Sequence, residues 1–304
     1  MERLDRIYRY EQACEFLPHR LKSLALSLPD KQKERVEELR LRVMHPLTVL
    51  TGEGELNAAP DGIASLVKAE DLEQMLGAVT EYSRYACIET LRQGFLPLRG
   101  GFRLGVCGSA VVREGEVNNL KDISSLALRI VCEHIGLGSD IAPRLFDENG
   151  RFMSTLLLSP PGGGKTTLLR ECVRRLSDQG LRISLMDERG EIAAVQNRTP
   201  QFDVGANTDI MTGGQKAACC MMLLRAMRPD VLAFDEISAP EDIEAIRIAA
   251  GCGVALLATA HAQSVGALRC RTLYRALLDE HIFRRAVCIT RSGGARFYTL
   301  EELP

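Results

Sequence analysis

The chain has 304 residues, 46% hydrophobic and 26% charged, which is the composition of an ordinary soluble globular protein and the length of two domains. A formal net charge of −2 calls for no nucleic-acid partner, and no apolar run approaches the roughly 18–20 residues that span a bilayer. The opening Met1-Glu2-Arg3-Leu4-Asp5-Arg6 carries acids and no long apolar core, so it is not expected to be a secretory signal. The ten cysteines form no Cys-x-x-Cys pair, which argues against zinc and thioredoxin-like sites. Stretches such as Gly251-Cys252-Gly253-Val254-Ala255 read instead as reduced thiols acting as small core hydrophobes.

The first half mixes helices with short strands. Apolar residues recur at helical spacing over 11–28 and 68–94, for example Leu72, Met75, Leu76 and Val79. Between them, Val36–Val43 alternates apolar and charged residues as a half-buried strand does. From Gly94 to Ile130 the pattern predicts a β-meander: Phe95–Leu98, Phe102–Cys107, Ala110–Val112 and Leu126–Ile130, with turns at the glycines and at Glu114-Gly115-Glu116. The second half alternates strands and helices as a parallel sheet with crossovers does. Strands are predicted at Ser154–Ser159, Arg182–Asp187, Val231–Asp235 and Gly253–Ala260, followed by an antiparallel pair, Ala286–Thr290 and Ala295–Leu300, turning at Ser292-Gly293-Gly294.

Residues 155–167, Thr-Leu-Leu-Leu-Ser-Pro-Pro-Gly-Gly-Gly-Lys-Thr-Thr, join an apolar strand to a helix through a glycine-rich turn. This is the pattern of a nucleoside-triphosphatase phosphate loop. Pro161, Gly162, Gly163, Gly164, Lys165, Thr166 and Thr167 are the expected nucleotide contacts, because bare glycine backbone lets N–H groups close around phosphate oxygens. Lys165 would reach the outer phosphates, and the Thr166 hydroxyl would hold Mg²⁺. Ser159 stands where the pattern usually opens with glycine, and a positive φ there would cost a serine more. Ligands of such sheets lie beyond the carboxyl ends of the strands, and the remaining polar motifs fall there. Val231–Phe234 runs into Asp235, expected on Mg²⁺, and Glu236, expected to orient or deprotonate the attacking water. Glu188, in Met186-Asp187-Glu188-Arg189-Gly190-Glu191, is its rival, although four charges at a strand end also suit a solvated turn. His261, in Thr259-Ala260-His261-Ala262, either bonds the phosphate region or caps the sheet edge. Arg129 and Arg103 are candidate charges for neutralising the transition state, whereas Arg225 and Arg228 read as surface or interface charges. The run Cys219–Leu224 reads as a buried helix.

Together these residues resemble the stage III sporulation protein AA ATPases, akin to the secretion-motor ATPases of type II and type IV systems. The resemblance rests on Glu38-Leu39-Arg40-Leu41-Arg42 with Pro46-Leu47, Arg92-Gln93-Gly94-Phe95, Gly100–Gly105, Asp122–Leu126, Pro160–Thr167, Asp187–Ile192, Pro229-Asp230-Val231 and Asp235-Glu236. It implies an α/β fold, with a smaller N-terminal α/β domain over 1–138 and a RecA-like P-loop ATPase domain over 139–304. It also implies ATP and Mg²⁺ as ligands, a hexameric ring, and docking on integral membrane components of a sporulation channel. The place implied is the cytoplasm, peripheral to the membrane on the mother-cell side. His261 matches the histidine-containing motif of the secretion motors, which usually show Gly-Glu where this chain has Asp235-Glu236.

The activity expected from the whole is ATP hydrolysis coupled to movement in a membrane-associated assembly. A nucleic-acid-dependent ATPase is the first alternative; it is disfavoured by the net acidity and by the lack of a basic run with interleaved aromatics. The second is an ATP-gated scaffold with little turnover.

Overall fold

Alternation of apolar and charged residues from Val36 to Arg42 can bury only one face of a strand, and the first sheet is built around that segment. The computed structural model describes residues 2–58, 66–80, 94–113, 115–131, 135–292 and 295–303. They fall into two units, Met1–Cys132 and Glu133–Pro304.

In the first unit β1 (Val36–Arg42), β2 (Thr48–Thr51), β3 (Gly54–Asn57), β4 (Phe95–Leu98), β5 (Phe102–Arg113) and β6 (Glu116–Arg129) form an antiparallel sheet in the order β3-β2-β1-β6-β5-β4. Leu39 and Leu41 of β1, Leu104 of β5, and Leu126 and Leu128 of β6 share one core with the helices. These are α1 (Glu2–Cys14), α2 (His19–Leu26), α3 (Asp30–Lys33) and α4 (Ala69–Val79), which contribute Tyr10, Leu21, Leu72 and Met75 among others.

Three expectations change here, one being that the strand expected at Leu126–Ile130 begins at Glu116 as β6 and pairs along its length with β5. The helical pattern over 11–28 is two helices, because Pro18 has no N–H to continue α1 and stands instead as the N-cap of α2. Gly108 is not a turn but a bulge within the single long β5, where a Cβ would lie 2.6 Å from the Lys121 carbonyl oxygen. Of the 68–94 pattern, α4 accounts for Ala69–Val79; residues 81–93, with Arg92 and Gln93, lie outside the described residues.

The second unit carries a sheet in the order β13-β12-β7-β11-β10-β8-β9. Its strands are β7 (Thr155–Leu158), β8 (Ile183–Asp187), β9 (Thr208–Thr212), β10 (Val231–Glu236), β11 (Ala255–Ala260), β12 (Arg285–Ser292) and β13 (Ala295–Glu302). All neighbours are parallel except β12 and β13; Gly293 and Gly294 of their predicted turn lie outside the described residues. The crossovers are α5 (Lys165–Asp178), α6 (Lys216–Met227), α7 (Pro240–Gly251), α8 (Val265–Arg269) and α9 (Thr272–Asp279).

Every residue of β7 is buried, as a near-continuous apolar run demands of a strand covered on both faces. One core gathers Leu156, Leu158, Leu232, Phe234 and Leu256 with α6, α7, α8 and α9; the other gathers Leu157, Leu185, Ala233 and Leu257 with α5. Among the described residues no helix is long and apolar enough to cross a membrane. Cys14, Cys172, Cys220 and Cys288 are buried, and burial pushes the Cys172 thiol up to about 12. Cys252, expected inside, is exposed, because it caps α7 beyond its last buried turn. The run Cys219–Leu224 is helical; Cys220 and Leu223 are buried in the core, Cys219 and Leu224 pack against it partly buried, and Met222 is 59% exposed.

Within α5, buried Glu171 accepts from Arg174 at 2.8 and 2.9 Å, from Arg175 at 2.6 Å and from the Gly136 N–H at 3.0 Å. Burial alone would raise its pKa, but these donors hold it below the ordinary carboxylate range. A carboxylate depressed in the folded state contributes stability above its unfolded pKa and loses it as pH falls through the folded value. Glu171→Gln is therefore expected to cost about 1.5–3 kcal/mol at neutral pH. The gap to wild type should close as pH falls below about 4, read by denaturant unfolding; a gap independent of pH would contradict the ion-pair account.

Candidate functional site

The turn after β7 is shaped by what its glycines permit. Gly162 and Gly164 have φ of 73° and 98°, where a side chain is strained. Gly163 is glycine for space, since a Cβ would lie 1.7 Å from the Ser159 Oγ. Ser159 itself does not adopt a positive φ, so the strain anticipated at the opening position does not arise. Its buried hydroxyl donates to the Pro160 carbonyl at 2.7 Å and closes the turn from inside. Pro161 and Gly162 are exposed, Gly163, Gly164, Thr166 and Thr167 half-buried, and the helix begins at Lys165.

An ammonium has three donors, and all three of Lys165's find acceptors: the Ser159 carbonyl at 3.0 Å, the Pro160 carbonyl at 3.4 Å and His261 Nδ1 at 2.8 Å. Burial lowers the Lys165 pKa, against the opposing pull of Glu236 and Asp235. Because lysine can only donate, Nδ1 of His261 must accept, which leaves the proton on Nε2. Nε2 lies 3.1 Å from Glu236 Oε2, so one imidazole joins lysine to carboxylate.

Strand order makes this contact possible. β11 lies between β7 and β10, so His261, just past its end, stands between the phosphate loop and the end of β10. The register between β10 and β11 shifts between Phe234 and Glu236, leaving Asp235 out of the ladder. Its carboxylate accepts from the Thr259 hydroxyl of β11 at 3.2 Å.

The acidic end of β8 divides into two roles. Asp187 is buried and accepts the backbone N–H groups of Glu191, Ile192 and Ala193 at 3.0, 3.1 and 2.8 Å, so it organises the following loop rather than decorating a solvated turn. Desolvation raises its pKa against those same bonds. Glu188 is more exposed and lies 3.1 Å from the ammonium of Lys216.

Lys216 went unnoticed in the sequence. Buried at the start of α6, it donates to the Glu236 carbonyl at 2.6 Å and lies 3.3 Å from Asp242, whose carboxylate also accepts the Ser238 and Ala239 N–H groups. The only signal was a lysine opening an apolar helix after Gly213-Gly214. Lys165, His261, Glu236, Lys216 and Glu188 thus form one continuous polar row across the strand ends.

Arg129 belongs to the first unit. It is exposed on β6, opposite Arg103 on one side and Glu38 on the other. The Arg103 guanidinium lies over the Phe95 ring, 3.7 Å from its centroid. Arg225 and Arg228 are exposed at the end of α6, as expected.

The chain matches the family model described as Sporulation stage III, protein AA over residues 8–296. It is 32% identical to the Stage III sporulation protein AA of Bacillus subtilis (strain 168), across 93% of this chain and 92% of that one. Among solved structures it is similar to the ATPase DotB of Legionella pneumophila, with a TM-score of 0.58 and 16% identity, covering 88% of this chain and 76% of that one. It is also similar to the pilus retraction motor PilT with bound ADP, with a TM-score of 0.58 and 18% identity, covering 88% of this chain and 80% of that one. At these identities the likeness shows the fold, the RecA-like P-loop α/β fold expected from the sequence.

Two substitutions test the architecture of the site. Gly163→Ala is expected to destabilise the second unit by about 1–3 kcal/mol through the Ser159 clash, and adding Ser159→Gly should return part of that loss in denaturant unfolding. Lys216→Met is expected to cost about 3–5 kcal/mol, because it strands the buried Asp242 carboxylate; Lys216→Met combined with Asp242→Asn should cost less than Lys216→Met alone.

Proposed function

We propose a function on the premise that the chain belongs to the stage III sporulation protein AA family. The second unit binds ATP with Mg²⁺ and hydrolyses it to drive movement in a membrane-associated channel assembly of endospore formation. The observation that carries this reading is the Lys165–His261–Glu236 row, which ties the phosphate loop to a carboxylate through one imidazole.

The residues present suit the ligands. The loop has room for no side chain at Gly163, and its bare backbone opens a helix whose N-terminus favours anions. Thr166 and Asp235 offer the hard oxygen donors that Mg²⁺ takes, usually one or two protein groups completed by phosphate oxygens and water. Bound there, the cation would neutralise charge on the transferring phosphoryl group.

The chain's own groups do the rest. The Lys165 ammonium exchanges its loop carbonyls for phosphate oxygens, and the N–H groups of Gly162–Thr167 hold the phosphate chain. Glu236 orients the attacking water and accepts its proton, since it is the carboxylate linked to Lys165. His261 holds Glu236 in place and changes partner when Lys165 moves. Glu188, neutralised by Lys216, holds the end of β8 against the end of β10. Catalysis is positioning and charge neutralisation around in-line displacement. Arg129 is the candidate for a charge supplied by a ring neighbour.

Copies assemble as a hexameric ring on integral membrane components of the channel, on the cytoplasmic, mother-cell face; nucleic acid is not required. Family membership supports these assignments.

Purified protein is expected to hydrolyse Mg-ATP, Lys165→Ala to lose nucleotide binding, and Glu236→Gln to bind while turnover falls about 10²–10⁴-fold. Oligomeric state is followed in the same samples. If Glu188→Gln abolishes turnover and Glu236→Gln does not, the water-activating role passes to Glu188. Wild type that binds and forms rings without turnover, alone or with its membrane partners, would instead mark an ATP-gated scaffold.

A further inference from the structure

The edge hairpin of the second sheet brings a further cation to the phosphate loop. β13 runs antiparallel to β12 with Arg296 directly opposite Arg291, an arrangement that is unfavourable for like charges with nothing between them. The Arg296 side chain lies against the loop: a Cβ on Gly164 would come within 2.9 Å of its Nε, 3.3 Å of its Cζ and 3.5 Å of its Cδ. Gly164 is bare because of its φ of 98°, and the guanidinium packs on the face that this leaves open.

The Arg296 Nε is buried and, among the described residues, has no hydrogen-bond partner. Among the described residues no carboxylate forms an ion pair with Arg296. Gly164 is the N-cap of α5, so the guanidinium lies where backbone N–H groups already concentrate positive potential. Arg296 lying on a loop that opens a helix N-terminus, with no ion-pair carboxylate of its own, forms an arrangement that a polyanion would complete. A guanidinium presents a planar fork that fits phosphate oxygens, which a solvated surface arginine would not need to hold against a loop glycine.

We infer that Arg296 is a nucleotide-binding residue, donating from the C-terminal hairpin to the phosphate chain of a nucleotide held by the same chain's phosphate loop. This rests on the nucleotide reading of that loop and adds a cation from within the same chain. It also gives β12 and β13 a direct stake in whether the loop is occupied.

The test is ADP affinity of the full chain, measured by calorimetry at low and moderate salt, for wild type, Arg296→Gln, Arg296→Lys and Phe297→Ala. Phe297 is the next residue on β13 and is exposed, so its loss reports hairpin packing without touching the loop. Arg296→Gln is expected to weaken ADP by about tenfold or more, Arg296→Lys by less, and Phe297→Ala not at all. The loss should shrink as salt rises. Arg296→Gln binding ADP like wild type overturns the inference and leaves the nucleotide reading standing. An equal loss in Phe297→Ala also overturns it, by assigning the effect to the hairpin's packing. Wild type that binds neither ADP nor ATP fails the nucleotide reading itself, and the inference with it.

Discussion

A buried ammonium with all three of its hydrogens spoken for is the constraint on which this site depends. Burying the Lys165 ammonium is costly unless acceptors surround it, and the chain supplies them from two carbonyls of its own loop and one imidazole. The imidazole is there because β11 is inserted between β7 and β10. Were the loop strand and the acidic strand neighbours, Glu236 would have no bridge to Lys165. The inserted strand converts two separate motifs into one connected unit, so a change of partner at Lys165 must be felt at Glu236.

The same economy governs the rest of the polar row. Asp187 spends its carboxylate on three backbone N–H groups and thereby fixes the loop that carries Glu188. Asp242 caps the start of α7 and at the same time neutralises Lys216. Lys216 in turn ties the end of β10 to Glu188. Each of these buried charges has an opposite charge or a set of backbone dipoles as its partner, which is the condition under which charges survive inside a protein.

Much of this was legible in the residues. The apolar runs ending in Ser159, Asp187, Asp235 and Ala260 marked the four central strands within a residue or two, because a strand covered on both faces must be apolar along its whole length. The strands that escaped notice, β2, β3 and β9, are short and partly or wholly exposed, so burial imposes little pattern on them. Cys252 misled for a related reason: its apolar neighbours belong to the start of β11, while the thiol sits at the solvent end of α7. Pro18 shows the converse, a single ring dividing what periodicity alone reads as one helix.

The sequence by itself determined the phosphate loop, the acidic strand end and the family, because glycine, lysine and threonine at that spacing answer to local backbone geometry. Ser159 in place of the opening glycine was the one local question, and it turned on a single φ that only coordinates supply. What tertiary structure alone decided was partnership. His261 touches Lys165 across 96 positions of chain, Lys216 reaches Glu236 across 20, and Arg296 lies on Gly164 from the far hairpin. Such contacts depend on strand order and register, which are set by how whole sheets pack and leave no mark at the spacing of any motif.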